Sequence, residues 1–217
     1  FKHTRVYLTG NPVPKFNIQI NKEKLAREYS LNKELSLLVV IGGSSGSRTI
    51  NKTMSAIIPD VLQYTNVIHQ TGYSNSGSIL KKNQKYAGKY VSIPFMDPPQ
   101  LHAILAHSDL VISRSGGNAV SEIAKYRKPS ILIPLSTAAN NEQFFNAAVL
   151  RQSQAASLIE ESRLSPASLL EEIKLIINDK HYRETMSTNI SRFYQENAAK
   201  DIVSILSSLD LSKTQKD

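Results

Sequence analysis

Short apolar runs alternate along this chain with stretches whose apolar residues recur every three or four positions. "LLVVI" (Leu37 to Ile41) is a continuous apolar run, as expected of a strand buried on both faces of a parallel sheet. From Arg48 to Tyr64, the residues Ile50, Met54, Ile57, Ile58 and Val61 share one helical face. The alternation continues. "NVIHQT", "YVSIPF" (Tyr90 to Phe95), "DLVIS" (Asp109 to Ser113) and "SILIP" (Ser130 to Pro134) read as strands, and "AASLIE" as a last short one. Ser74 to Tyr86, a short segment through Leu101 and Leu105, "NAVSEIAKY" (Asn118 to Tyr126) and "NNEQFFNAAVL" (Asn140 to Leu150) read as helices. "RVYLTG" (Arg5 to Gly10) reads as a strand ending in the turn "GNPVP". From Ser165 the pattern is helical to about Leu209, with a break near "NDKHY" and a frayed polar tail.

This alternation predicts the α/β class: a Rossmann-like, doubly wound parallel sheet followed by C-terminal helices. Ligands of such sheets bind beyond the carboxyl ends of the strands. The loops that matter are therefore Gly42–Ser47, Pro94–Pro99, Arg114–Asn118 and Leu135–Gln143.

Composition narrows the function classes. The chain has 217 residues, 41% of them hydrophobic, enough for a substantial core. Its longest apolar runs are too short to span a bilayer. There is no cysteine, which excludes disulfides and Cys-ligated zinc and fits a cytoplasmic protein. The net charge of +8 suits an anionic ligand or an anionic membrane face. Lys and Arg are scattered rather than interleaved with aromatics, so no nucleic-acid partner is expected. The opening "FKHTRVYLTG" lacks an initiator Met and a leader pattern, which predicts a piece cut from a longer protein.

The stretch "GGSSGS" (Gly42 to Ser47) follows a strand and precedes a helix, and it admits three readings. As G-x-S-x-G it is a nucleophile elbow with Ser44 attacking, and Asp97 or Asp109 followed by His181 supplies the order of a serine hydrolase. As a short flexible turn at a helix N-terminus it offers backbone N–H groups and the positive end of a helix dipole to a phosphate. As a tight connection it does neither. It is not a Walker loop, because Ser47-Arg48 follow Gly46.

A second glycine turn, "RSGGNAVSE" (Arg114 to Glu122), lies in the same strand-to-helix context. Two such turns converging on one crevice could hold a diphosphate between them. Glu122, one turn into the helix, is placed either to accept ribose hydroxyls or to face solvent. In the third loop Asn140, Asn141, Glu142 and Gln143 offer amides and carboxylates suited to sugar hydroxyls, or simply a capped polar first turn. His3, His69, His102, His107 and His181 are dispersed, so no metal site is expected. The pairs Glu160-Glu161 and Glu171-Glu172 read as solvent-facing charge, and no residue stands out as a general base.

"TGNPV" (Thr9 to Val13), "GGSSGS", "HQTG" (His69 to Gly72), "PFMD" (Pro94 to Asp97), "RSGGNAVSE" and "NNEQFFNA" (Asn140 to Ala147) occur in this order. In this the chain resembles the C-terminal half of the MurG family, the peptidoglycan UDP-N-acetylglucosaminyltransferases of glycosyltransferase family 28. The resemblance implies half of a two-domain GT-B enzyme. On that basis residues 1–15 would be the linker and first strand from a missing N-terminal domain. Residues 16–195 would be the UDP-sugar donor-binding domain, and 196–217 a C-terminal helix and frayed tail.

The implied reaction is inverting transfer of GlcNAc from UDP-GlcNAc to the MurNAc 4-hydroxyl of lipid I, giving lipid II, at the cytoplasmic face of the membrane. It implies no metal and no cofactor, UDP-GlcNAc being a substrate. The missing domain would bind lipid I and carry the general base. By motif position, Asn11 falls in "TGNPV". Gly43, Ser44 and Ser45 would face the diphosphate, and Met96 would hold the uracil edge through its backbone. Asn118 and Ala119 would lie in the second phosphate loop, Glu122 would bind the ribose, and Glu142 and Gln143 would face the GlcNAc hydroxyls. The sequence departs from the family pattern in three places. Pro14 stands where Arg is usual, with Lys15 beside it, Ala119 replaces a frequent Thr, and Glu142 replaces Gln or His. Related transferases acting on diacylglycerol or polyprenol-linked acceptors are the alternative within this superfamily.

Overall fold

In the computed structural model of the chain, which describes residues 5–43, 45–73, 86 and 88–208, the apolar runs become six parallel strands. They are β1 (Ser36–Ile41), β2 (Thr65–Gln70), β3 (Tyr90–Ile93), β4 (Leu110–Ser113), β5 (Ser130–Leu132) and β6 (Ser157–Leu158). Their order across the sheet is β3-β2-β1-β4-β5-β6. The chain therefore runs outward from β1 to β3, then returns to the other side of β1 to begin β4. Leu38 is paired with Val67 on one side and with Leu110 on the other.

The helices are α1 (Lys22–Glu28), α2 (Arg48–Val61), α3 (Pro98–His107), α4 (Gly117–Lys125), α5 (Glu142–Gln152), α6 (Pro166–Asn178), α7 (Lys180–Ile190) and α8 (Ala198–Ser208). Side chains alternate across each strand, so the unbroken apolar runs feed two cores. Leu38, Val40, Leu110, Ile112 and Ile131 face one layer with Ile50, Met54 and Ile58 of α2 and Leu169, Ile173 and Ile176 of α6. Leu37, Val39, Val111 and Leu132 face the other, with Ile104 and Leu105 of α3, Ile123 of α4 and Leu150 of α5. Each fully buried aliphatic side chain contributes about 1.5–3 kcal/mol relative to exposure.

Local chemistry sets the helix ends. Ser47 caps α2, its side chain accepting the Ile50 N–H. Ser165 and Ser168 form a reciprocal capping box at α6. Asp179 ends α6 with an extended backbone and caps α7, and this is the break expected near "NDKHY".

Several expectations are corrected. Arg5–Gly10 forms no strand: Val6 and Leu8 are 82% and 98% exposed, and none of the six paired strands includes them. An apolar alternation makes a strand only when a neighbour accepts its hydrogen bonds. The "NNEQ" helix begins at Glu142 rather than Asn140, because Asn140 and Asn141 both adopt left-handed backbone, φ 52° and 54°. Helix α1 was not anticipated. It buries only Leu25 and relies on the Asn21 cap, whose side chain accepts the Lys24 N–H. The helix expected over Ser74–Tyr86 lies outside the described residues, Tyr86 apart.

β2 is buried along its whole length although it reads "TNVIHQ". Each long polar side chain on it has partners. Asn66 donates to the Asn32 carbonyl at 2.7 Å and accepts the Asn32 N–H at 3.0 Å. His69 lies between Tyr90 Oη at 3.0 Å from Nδ1 and Asn51 Oδ1 at 2.9 Å from Nε2. Asn51 donates its amide to the Thr71 carbonyl, so Oδ1 is left to accept. This fixes the His69 proton on Nε2, with Nδ1 accepting from the tyrosine.

Burial pushes the His69 imidazolium down to about 3. An unfolded histidine titrates near 6.5. The native state thus binds fewer protons, and the neutral ring contributes stability in full above about pH 6.5. That contribution should decline by up to roughly 1.4 kcal/mol per pH unit as pH falls from 6.5 toward 3. Nitrogen-15 NMR should find His69 neutral and protonated on Nε2 at pH 5; a midpoint near 6.5 for this ring contradicts the account.

Candidate functional site

At the carboxyl end of the sheet, the two strands where the winding reverses, β1 and β4, send their loops into one cleft of about 720 Å³. Gly42, Gly43, Ser45 and Gly46 supply one wall and Gly116, Gly117, Asn118 and Ala119 the facing one. Asn11, Arg114, Leu135, Glu142 and Gln143 complete it. Helices α2, α4 and α5 all begin at this rim. The first residues of α4 and α5 have no capping side chain, so their amides are not satisfied by a side-chain acceptor. Such termini favour anions through their N–H groups and dipoles.

The first loop is held by backbone contact. Gly46 and Gly72 have φ of +75° and +78°, and a Cβ on either would collide with the other's segment: Thr71–Gly72 on one side and Ser45–Gly46 on the other. Only glycine permits both the left-handed backbone and this approach. Gln70 adds a side-chain tie, donating to the Gly43 carbonyl at 3.0 Å and accepting the Met96 N–H at 3.1 Å. "HQTG" thus serves the site indirectly.

Arg114 leaves the end of β4 and lies across the cleft floor. It donates to the carbonyls of Ile133 and Pro134 at 3.1 and 3.2 Å, to Ser47 Oγ at 2.8 Å and to Glu161 Oε1 at 2.5 Å. Both partners of the ion pair are largely buried. Burial alone would raise the Glu161 carboxyl. Hydrogen bonds from Arg114 and from the Ser136 side chain and backbone outweigh it and hold the group down at about 2. Glu161 is therefore not the solvent-facing charge expected of "EE". On the third loop, the Gln143 carboxamide oxygen accepts the Leu135 N–H at 3.0 Å, and Ser115 Oγ donates to the Gln143 carbonyl at 2.7 Å.

The profile of the glycosyltransferase family 28 C-terminal domain matches residues 37–204. The chain belongs to this family. Similar curated proteins carry the name UDP-N-acetylglucosamine–N-acetylmuramyl-(pentapeptide) pyrophosphoryl-undecaprenol N-acetylglucosamine transferase. That of Thermodesulfovibrio yellowstonii is 32% identical over 213 residues, covering 96% of this chain and 57% of the relative. That of Natranaerobius thermophilus is 30% identical over 217 residues, covering 96% and 58%. The chain thus spans little more than half the length of these relatives. Among solved structures, Acinetobacter baumannii MurG matches with a TM-score of 0.70 at 21% identity, over 84% of this chain and 52% of that one. The UDP complex of S. aureus MnaA matches with a TM-score of 0.64 at 13% identity, over 84% and 47%. These likenesses establish the Rossmann-like α/β fold of one half of a GT-B glycosyltransferase.

The fold gathers most of the family 28 site residues read from the sequence. Asn11, Gly43, Ser45, Asn118, Ala119, Glu142 and Gln143 all line the cleft. Asn11 donates to Asn118 Oδ1 at 2.8 Å, pinning the "TGNPV" segment to the start of α4. Met96 does not line it; its side chain is buried and its N–H is engaged by Gln70. Glu122 does not line it either, and its carboxylate lies 3.6 Å from His102 Nε2. Ser44 lies outside the described residues. Lys15, beside the missing Arg, pairs with Glu196 at 3.1 Å and is not a cleft residue.

The elbow reading finds no acid. Asp97 caps α3, accepting the Gln100 N–H at 2.8 Å. Asp109 accepts the Leu37 N–H at the opposite, amino end of the sheet. His181 is exposed on α7. No group of three or more metal-ligating side chains occurs among the described residues. Nor is any described helix long and apolar enough to cross a membrane.

Arg114 and Glu161 were not singled out as site residues, and no local signal joins them across 47 positions. Glu161→Gln should cost about 1–3 kcal/mol in urea unfolding at pH 7, by leaving the guanidinium of Arg114 half-satisfied. The carboxylate contribution is complete above about pH 4.5 and is lost as pH falls toward 2, so wild type and variant should converge in that window. Equal stability at pH 7 contradicts the assignment.

Proposed function

We propose that this chain is the donor-binding half of an inverting glycosyltransferase that moves GlcNAc from UDP-GlcNAc to the MurNAc 4-hydroxyl of lipid I, forming lipid II. The observation that carries the reading is the meeting of two glycine turns, each at a helix N-terminus, in one cleft at the reversal of strand order. A diphosphate fits that arrangement. Its charge is met by the amides of Gly43 and Ser45 and of Asn118 and Ala119, and by the dipoles of α2 and α4. Glu142 and Gln143, on the adjoining wall, take the GlcNAc hydroxyls. Met96, whose N–H is held by Gln70, receives the uracil edge through its backbone carbonyl, and Glu122 receives the ribose. The names carried by the relatives support the donor and acceptor.

The chain's own residues bind and orient the donor. With the phosphates held in the cleft and the sugar against Glu142 and Gln143, the anomeric carbon is presented outward, and the leaving UDP keeps the amides and helix dipoles that stabilise its new charge. The general base and the lipid I site belong to the companion half of the full-length protein. The enzyme works as a peripheral protein at the anionic cytoplasmic membrane face, without a cofactor or resident metal and without nucleic acid. A related transferase with another lipid acceptor would share this donor site, and only the companion half separates them.

Calorimetry should show UDP-GlcNAc binding this chain roughly tenfold more tightly than UDP-glucose or UDP-galactose, since a polar site rejects the analogue that leaves its groups unpaired. Equal affinities would remove the sugar assignment. The chain alone should bind donor yet transfer no GlcNAc to lipid I; turnover would place the base among these residues. Glu122→Ala should weaken UDP binding by about 1.5–3 kcal/mol, the worth of hydrogen bonds to a charged group.

A further inference from the structure

His102 is a buried side chain that the donor reading does not use. It is fully buried on α3, and its ring is fixed on two sides: Nδ1 lies 2.9 Å from Tyr126 Oη, and Phe16 packs edge-on with centroids 4.7 Å apart. Its Nε2 is buried and has no hydrogen-bond partner. A buried polar atom left in that state is costly, so the position calls for a hydrogen-bond partner. The group in front of it is Glu122, whose Oε1 is 3.6 Å away, just beyond hydrogen-bond range. The Glu122 side chain is 24% exposed. One oxygen faces the buried Nε2 while the carboxylate keeps access to solvent.

We infer that His102 is a positioning residue for Glu122. Its Nε2–H takes up one carboxylate oxygen when the other receives the ribose hydroxyls of a uridine nucleotide. The inference rests on the ribose role of Glu122 proposed above and adds the group that orients it. Tyr126 supplies the other half of the device. Burial, followed by its neighbours Tyr194 and Glu122, pushes its phenol up to about 12, and the protonated phenol, 2.9 Å from Nδ1, is placed to donate to it. With the phenol donating, the ring proton sits on Nε2, aimed at the carboxylate. Closing the gap needs a shift of only a few tenths of an ångström by a side chain with three rotatable bonds. The unbound distance describes a contact poised to tighten, as functional hydrogen bonds do on ligand binding.

The test compares UDP with 2′,3′-dideoxy-UDP, which lacks both ribose hydroxyls, by calorimetry on the full 217-residue chain. Wild type should prefer UDP, and Glu122→Ala should abolish the preference. His102→Phe, which keeps a ring and removes the N–H, should lower UDP affinity by about fivefold or more while leaving dideoxy-UDP unchanged. His102→Gln, whose amide nitrogen falls near the place of Nε2, should restore most of the preference. A purely structural role moves both ligands together or neither. Equal loss for both ligands, or an unaltered preference in His102→Phe, overturns the positioning role while the ribose reading stands. A preference that survives Glu122→Ala defeats the ribose reading and this inference with it.

Discussion

The parallel pairing of β1 with β4 is the constraint on which the site depends. Strands on either side of that line are reached by crossovers running in opposite directions, so the loops leaving β1 and β4 are not covered by a helix packed between them. The crevice is a product of topology before any side chain is chosen. Both strands are buried, and the paired residues Leu38 with Leu110 and Val40 with Ile112 hold the loops in register. Weakening that seam would move one glycine loop relative to the other, whatever happened to the residues in them.

Given the crevice, its lining is organised by a few side chains that bridge loops. Arg114 joins the start of α2, the end of β5 and the segment carrying Glu161. Gln70 joins the first glycine turn to the loop after β3. Asn11 ties the leading segment to α4. The Arg114 and Gln70 contacts sit in partly dry surroundings, where hydrogen bonds are stronger and an unmet partner more costly. The result is a set of loops that hold position through one another.

Much of this was legible in the residues. β1, β2, β4 and the helices α2, α5 and α6 came from periodicity, which is a local property and survives folding wherever both faces of a sheet are covered. The two glycine turns were legible because a strand, a glycine pair and a helix form one short unit. What escaped was non-local. Glu161 looks like any surface glutamate until Arg114 is brought to it. Arg5–Gly10 has the alternation of a strand but no described strand paired with it. Asn140 and Asn141 prefer caps and turns on composition, yet their shared left-handed backbone depends on how the loop meets α5. Helix α1 buries too little for a periodic signal to show.

The contact between Gly46 and Gly72 carries a consequence for how the cleft meets its ligand. Two segments that touch backbone to backbone have no rotamers to freeze, and the turn from Gly43 to Gly46 is closed by its own hydrogen bond at 3.0 Å. Among the described residues of this wall, Gly43, Ser45 and Gly46 are already set in place. A ligand settling there loses its own freedom of motion but demands little further ordering from the protein, which is the usual advantage of a preformed site over an adaptable one. The same rigidity makes the wall intolerant of growth: a methyl group at either glycine would part the two segments and loosen the whole rim.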